Sequence, residues 1–206
     1  MNFSRVVSVS ERTLTICRIT REKIVSQQPV FRAQLQLTKP IKMIQSTFVA
    51  NIKKTNAMRM LDSAGIDYEV QEYEFDENDL DGHHVAEFLN IPYEEVFKTI
   101  VAKADDGYVV FCLSVDDELD LKKAARLAKS KRVELIHVKE LLPLTGYIRG
   151  GCSPIGMKKK FPTYIDEMIE LIDEVSVSGG QRGMQIRLKA QDLVSYTEAT
   201  VGGITV

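Results

Sequence analysis

The chain has no tryptophan, and only three cysteines, three histidines and six prolines in 206 residues. Cys17, Cys112 and Cys152 form an odd set without a C-x-x-C pair, which argues against a disulfide framework and for free thiols in a reducing compartment. His83, His84 and His137 lack the spacing of a zinc site, so no metal or cofactor is expected. No apolar run approaches the ~20 residues of a membrane-spanning helix, and the N-terminus lacks the compact apolar stretch of a secretory signal. A cytoplasmic protein is expected. Hydrophobic content of 44% and charged content of 27% are ordinary globular values, and the length allows a buried core without staples.

Acid is scarce at one end. Residues 1–54 carry ten Lys or Arg against two acids, and residues 55–206 carry 17 against 27. Residues 1–50 show no clear helical or strand period and are broken by Pro29 and Pro40. They read as a basic extension outside the fold, and three origins stay open: an upstream extension from a misplaced start codon, an organellar presequence, or an arm that assists RNA binding. In the acidic remainder a nucleic-acid surface would have to be local, with Lys158, Lys159 and Lys160 as the most compact candidate.

From residue 51 onward the patterning becomes regular. Thr55 or Asn56 can cap a helix that places Met58, Leu61 and Ala64 on one side and ends at Gly65. An extended segment is predicted from Tyr68 to Phe75. Asp81 precedes a short amphipathic helix through Val85, Ala86, Phe88 and Leu89, stopped by Pro92. The runs Val96 to Ala104 and Tyr108 to Val115, joined by Asp105-Asp106-Gly107, predict a β-hairpin. Asp120 can cap a helix through Leu121, Ala124, Ala125, Leu127 and Ala128, with its Lys and Arg residues on a solvated face. Strands near 133–136, 164–165, 174–178 and 185–188 and a helix over 190–196 follow. Strands outnumber crossover helices, which predicts a single mixed α/β domain over 51–206 rather than a doubly wound parallel sheet.

Three places could carry chemistry. Alternation along Val96 to Ala102 puts Lys98 on the apolar face of Val96, Ile100 and Ala102. Such a lysine is either an edge-strand residue that snorkels to water or a cleft cation that meets a substrate carbonyl or phosphate. The loop Gly146-Tyr147-Ile148-Arg149-Gly150-Gly151-Cys152-Ser153-Pro154-Ile155-Gly156 lets backbone N–H groups approach a ligand without Cβ obstruction, as does Ser178-Gly179-Gly180-Gln181-Arg182-Gly183. A tight turn explains either loop alone. Cys152 lacks a nearby histidine in sequence to activate it and reads as a packing residue. The acids from Asp116 to Asp120 read as a solvated turn with a helix cap, and His83-His84 as surface.

Phe97-Lys98-Thr99, Leu119-Asp120-Leu121-Lys122-Lys123, the Gly146 to Gly156 loop, Phe161-Pro162-Thr163-Tyr164-Ile165-Asp166 and Val177 to Gly183 together resemble the YbaK/EbsC family. The resemblance runs in order from about Thr55 to the region of Tyr196. It implies a mixed, barrel-like sheet flanked by helices, homologous to the editing domain of bacterial prolyl-tRNA synthetases. It also implies a trans-editing deacylase, lyase-like or hydrolytic, that removes cysteine from Cys-tRNA(Pro) and Cys-tRNA(Cys). By that resemblance Lys98 binds the terminal adenosine phosphate and orients the ester, Tyr73 is a second catalytic position, and the Gly150 backbone holds the aminoacyl group. Gly151, Ser153, Ser178, Gly179 and Gly180 complete the substrate site. Where some members have an aspartate for the substrate amino group, this chain has Gln185, whose amide oxygen can accept the same hydrogen bond without a charge. No general base is implied, since the substrate thiolate itself attacks the ester. Aminoacyl-tRNA is the implied partner, with prolyl-tRNA synthetase in a transient complex. An editor of alanine or serine on tRNA(Pro) and a non-catalytic tRNA- or synthetase-binding module are the alternatives.

Overall fold

The computed structural model describes residues 53–76 and 81–206. The expected boundary near residue 51, and the reading of residues 1–50, lie outside the described residues. Helix α1 (Asn56–Ala64) starts where the Thr55 side chain accepts the Met58 N–H and stops at Gly65, in the left-handed region at φ 68°. Its buried face is Ala57, Met58 and Leu61. Burying Met58 and Leu61 stabilises by roughly 1.5–3 kcal/mol each. Strand β1 (Glu69–Glu72) is shorter than the extended run suggests, since after it Tyr73 gives its N–H to Gly183 and the chain leaves the ladder. Helix α2 (Gly82–Leu89) is capped by Asp81 and closed by Asn90 at φ 52°.

Strands β2 (Val96–Ala104) and β3 (Gly107–Ser114) form the expected antiparallel hairpin, with Ala104 opposite Gly107. Helix α3 (Leu121–Leu127) begins at Asp120, whose carboxylate accepts the Lys122 and Lys123 N–H groups at 2.7 and 3.0 Å. Strand β4 (Glu134–Leu135) then adds to β2. Helix α4 (Val138–Thr145) was not legible in the sequence because Pro143 sits inside it. A Glu140 carboxylate that accepts the His137 N–H at 2.9 Å starts it. Strands β5 (Thr163–Ile165), β6 (Glu174–Ser178) and β7 (Met184–Lys189), helix α5 (Ala190–Thr197) and strand β8 (Thr200–Val201) complete the domain.

The sheet order is β1-β7-β6-β2-β3-β5-β8, with β4 beside β2. It is mixed, because β2–β6, β3–β5 and β5–β8 are parallel and the other pairs antiparallel. Central strands are buried on both faces. On one face Phe97, Val101, Val177 and Ile186 pack with α1 and α5. On the other, Ala102, Phe111 and Leu113 pack with Ala124 and Ala125 of α3, and Val96 packs with Val85 and Ala86 of α2 and with Val115. Two helices thus cover the second face as separate clusters, and a seam runs between them across β2.

Candidate active site

Lys98 emerges at that seam. It stands opposite Leu113 in the ladder, between Val96, which belongs under α2, and Ala102, which belongs under α3. β2 lies between β6 and β3, so this is not an edge lysine. Its half-buried ammonium donates to the Val115 carbonyl at 3.1 Å. Desolvation holds the Lys98 pKa below the ordinary lysine value, while Asp117, Asp81, Glu118 and Asp116 pull the other way.

The parallel β2–β6 ladder has only two paired positions, Val96 with Ser176 and Phe97 with Val177. Beyond it Lys98, Thr99 and Ser178 line one cavity of about 480 Å³. Tyr73, Phe75, the start of α2, Gln185 of β7, and Arg149, Gly150 and Cys152 also line it. Burial raises the Tyr73 pKa, with the Gly183 backbone and the Gln185 side chain acting in the opposite direction. Gln185 is buried and its Oε1 accepts no hydrogen bond among the described residues. A buried acceptor without a partner costs about 1–3 kcal/mol, which a ligand N–H would offset.

Gly150 is at the third position of a turn closed by the Gly151 N–H on the Ile148 carbonyl at 3.0 Å. Its φ of 80° is what a type II turn requires there. Five of the nine site residues read from the sequence, Lys98, Tyr73, Gly150, Ser178 and Gln185, line the cavity. The other four lie behind it. A Cβ on Gly151 would sit 3.0 Å from the Gln181 backbone, so this glycine lets the two glycine-rich loops touch. Ser153 is fully buried and its Oγ accepts the Ile155 N–H. Gly179 gives its N–H to the Met184 carbonyl, and Gly180 packs against the Tyr147 ring.

Among the wall residues that sequence reasoning does not single out are His84, Arg149, Phe75 and Thr99. The sequence reads His84 as surface, and it is exposed, but it also faces the cavity from the first turn of α2. Arg149 holds the second position of the Gly150 turn, a rim cation whose signal was its place beside the paired glycines. Burial pushes the Cys152 thiol up to about 12, so it stays protonated at neutral pH and is a poor nucleophile. Among the described residues no cluster of His, Cys, Asp and Glu could hold a metal ion, and no helix is long and apolar enough to cross a membrane.

Residues 81–196 match the family model of the aminoacyl-tRNA editing domain. EbsC of Enterococcus faecalis, named by inference as a Cys-tRNA(Pro)/Cys-tRNA(Cys) deacylase, is 45% identical over 154 residues, 74% of this chain and 94% of that protein. The proline–tRNA ligase of Lactobacillus gasseri is 29% identical over 101 residues, 49% of this chain but 18% of the ligase. A solved structure described by inference as a trans-editing enzyme for prolyl-tRNA synthetase superposes with a TM-score of 0.67 at 25% identity, covering 73% of this chain and 95% of that one. The chain belongs to the aminoacyl-tRNA editing domain family.

Proposed function

We propose that this protein is a cytoplasmic trans-editing deacylase that frees tRNA(Pro), and also tRNA(Cys), from attached cysteine. One observation carries the reading: a half-buried lysine, a glycine turn and a buried amide oxygen without a hydrogen-bond partner among the described residues converge on one cavity within the span shared with EbsC. The Lys98 ammonium holds the phosphate of the terminal adenosine and Tyr73 packs beside it. The Gly150 backbone takes the aminoacyl carbonyl, Ser178 lies next to it, and the Gln185 amide oxygen accepts from the substrate ammonium. Gly151, Ser153, Gly179 and Gly180 keep the two loops in register behind these groups.

In this chemistry the protein supplies no nucleophile. The substrate thiol loses its proton, its sulfur bonds to the ester carbon, and the bond to the ribose oxygen breaks. The proton ends on that oxygen, and cysteine thiolactone leaves. An intramolecular attack of this kind has an effective molarity of order ~10⁵ M, so positioning alone can supply much of the rate. Serine offers a poorer nucleophile and alanine none. Transient contact with prolyl-tRNA synthetase would supply the tRNA selectivity that a small domain lacks.

The place of His84 on the cavity wall favours a second route, in which His84 activates water for direct hydrolysis. Single-turnover assays with tRNA(Pro) carrying cysteine, serine, alanine or 2-aminobutyrate, which has a methyl where cysteine has its thiol, separate the two. Release of cysteine alone, retained in His84→Ala, supports the thiol route. Equal release of 2-aminobutyrate, lost in His84→Ala, supports hydrolysis.

A further inference from the structure

Residues 121–132 read Leu-Lys-Lys-Ala-Ala-Arg-Leu-Ala-Lys-Ser-Lys-Arg, six cations without an acid. This segment holds a third of the basic residues of 55–206, where acids outnumber bases 27 to 17. The apolar residues Ala124 and Ala125 turn inward onto β3, which leaves Lys122 and Arg126 exposed on the helix, followed by Lys129 and Lys131 in the segment just beyond it. Lys123 is tied to the Thr205 carbonyl at 2.6 Å and Arg132 pairs with Glu134 at 3.3 Å. The other four side chains make no hydrogen bond or ion pair among the described residues. The run of Lys158 to Lys160 is less available, since Lys160 pairs with Glu198 and Lys158 donates to the Leu142 carbonyl at 3.4 Å.

The position of the strip matters as much as its charge. α3 starts six residues beyond Val115, whose carbonyl receives Lys98 at the cavity. Its far end is fastened to the tip of the β2–β3 hairpin, where the Lys131 N–H meets the Asp105 carboxylate at 2.6 Å and the Asp105 N–H meets Ser130 Oγ at 3.0 Å. The cations therefore run from the cavity end of the hairpin to its tip. Lys122 and Arg126 are about 6 Å apart along the helix axis at 1.5 Å per residue. An acidic body repels RNA, so phosphate affinity has to come from such a local cluster.

Resting on the deacylase reading above, we propose that the exposed face of α3 is the docking surface for the phosphodiester backbone of the aminoacyl-tRNA, holding its base-paired arm while the 3′ end enters the cavity. The test uses the full chain and a Lys122→Gln/Arg126→Gln/Lys129→Gln variant, titrated with uncharged tRNA(Pro) between 50 and 200 mM salt. Each phosphate contact on a duplex steepens the dependence of log affinity on log salt by about 0.9. The variant should be less steep by about two to three, so over that range the parent loses roughly 40-fold more affinity. Arg126→Gln alone should reduce the slope by about one. In deacylation the triple variant should raise KM and keep kcat. A parent-like slope in the triple variant, or loss of the slope in Lys158→Gln/Lys159→Gln/Lys160→Gln instead, overturns the proposal and assigns α3 to another partner such as an acidic protein. Because uncharged tRNA is the probe, a parent that binds through α3 but deacylates nothing refutes the deacylase reading and leaves this surface standing.

Discussion

Replacing Lys98 is the perturbation whose outcome follows most directly from the geometry. Lys98→Met removes the charge and keeps most of the stem that fills the seam between the α2 and α3 clusters. The fold loses one hydrogen bond to the Val115 carbonyl and is relieved of a partly desolvated ammonium. These oppose each other, so a change of about 1 kcal/mol or less, and a Tm within about 4 °C of the parent, is expected. The substrate loses a charge-assisted contact worth about 1.5–3 kcal/mol, which is roughly 10- to 150-fold in kcat/KM at 1.36 kcal/mol per tenfold. The assay is single-turnover release from Cys-tRNA(Pro), with a thermal melt on the same samples. The pH profile adds a second readout. Activity needs the charged ammonium, and desolvation lowers its pKa, so the parent should lose activity as pH rises at values below the ordinary lysine range. Lys98→Arg, charged throughout, should push that limb upward in whatever activity remains. A Lys98→Met protein within about threefold of the parent in kcat/KM would refute the assignment of the cation.

Gly151→Ala forces a methyl to 3.0 Å from the Gln181 backbone. It should lower stability by about 1–3 kcal/mol in urea unfolding and cut deacylation further than stability alone explains. Asp166→Ala leaves the buried Ile204 N–H and the Met168 N–H without the carboxylate they meet at 3.0 and 3.1 Å, and should cost about 1–3 kcal/mol for each group that water cannot reach. His83 gives one ring nitrogen to Asp81 at 2.9 Å and the other to Asp116 at 3.3 Å, and its pKa is raised, first by Asp81 and then by Asp116. A raised folded-state value means that this contribution is full below about pH 6.5 and is lost as pH rises through the folded pKa. His83→Ala should therefore destabilise more at pH 5.5 than at pH 8.5, and an NMR titration of His83 with a pKa at or below 6.5 would contradict the bridge.

Local signals were legible and non-local ones were not. Thr55, Asp81 and Asp120 announce helices because a cap acts within three residues, and the β2–β3 hairpin shows in its two apolar runs around Asp105-Asp106-Gly107. Helix α4 was hidden by Pro143, and β8 has only two residues held by pairing with a remote strand. Parallel pairings such as Val96 with Ser176 join segments some eighty residues apart, and no period announces them. The same divide runs through the site. The alternation of β2 pointed to Lys98, whereas His84, Phe75 and Arg149 reach the cavity from three separate elements. Gly151, Gly179 and Gly180 stand in the motifs but serve loop-to-loop and loop-to-ring packing, which composition cannot distinguish from ligand approach.

The contact of Gly151 with the Gln181 backbone makes the two glycine-rich loops one mechanical part although thirty residues separate them. An insertion, or any side chain at the contact, would displace both together. Anyone redesigning this pocket for a different amino acid has little freedom in the loops. The adjustable positions are the side chains that face inward from regular elements and their flanks, Gln185, Tyr73 and His84, which can be exchanged while the backbone cradle at Gly150 stays fixed.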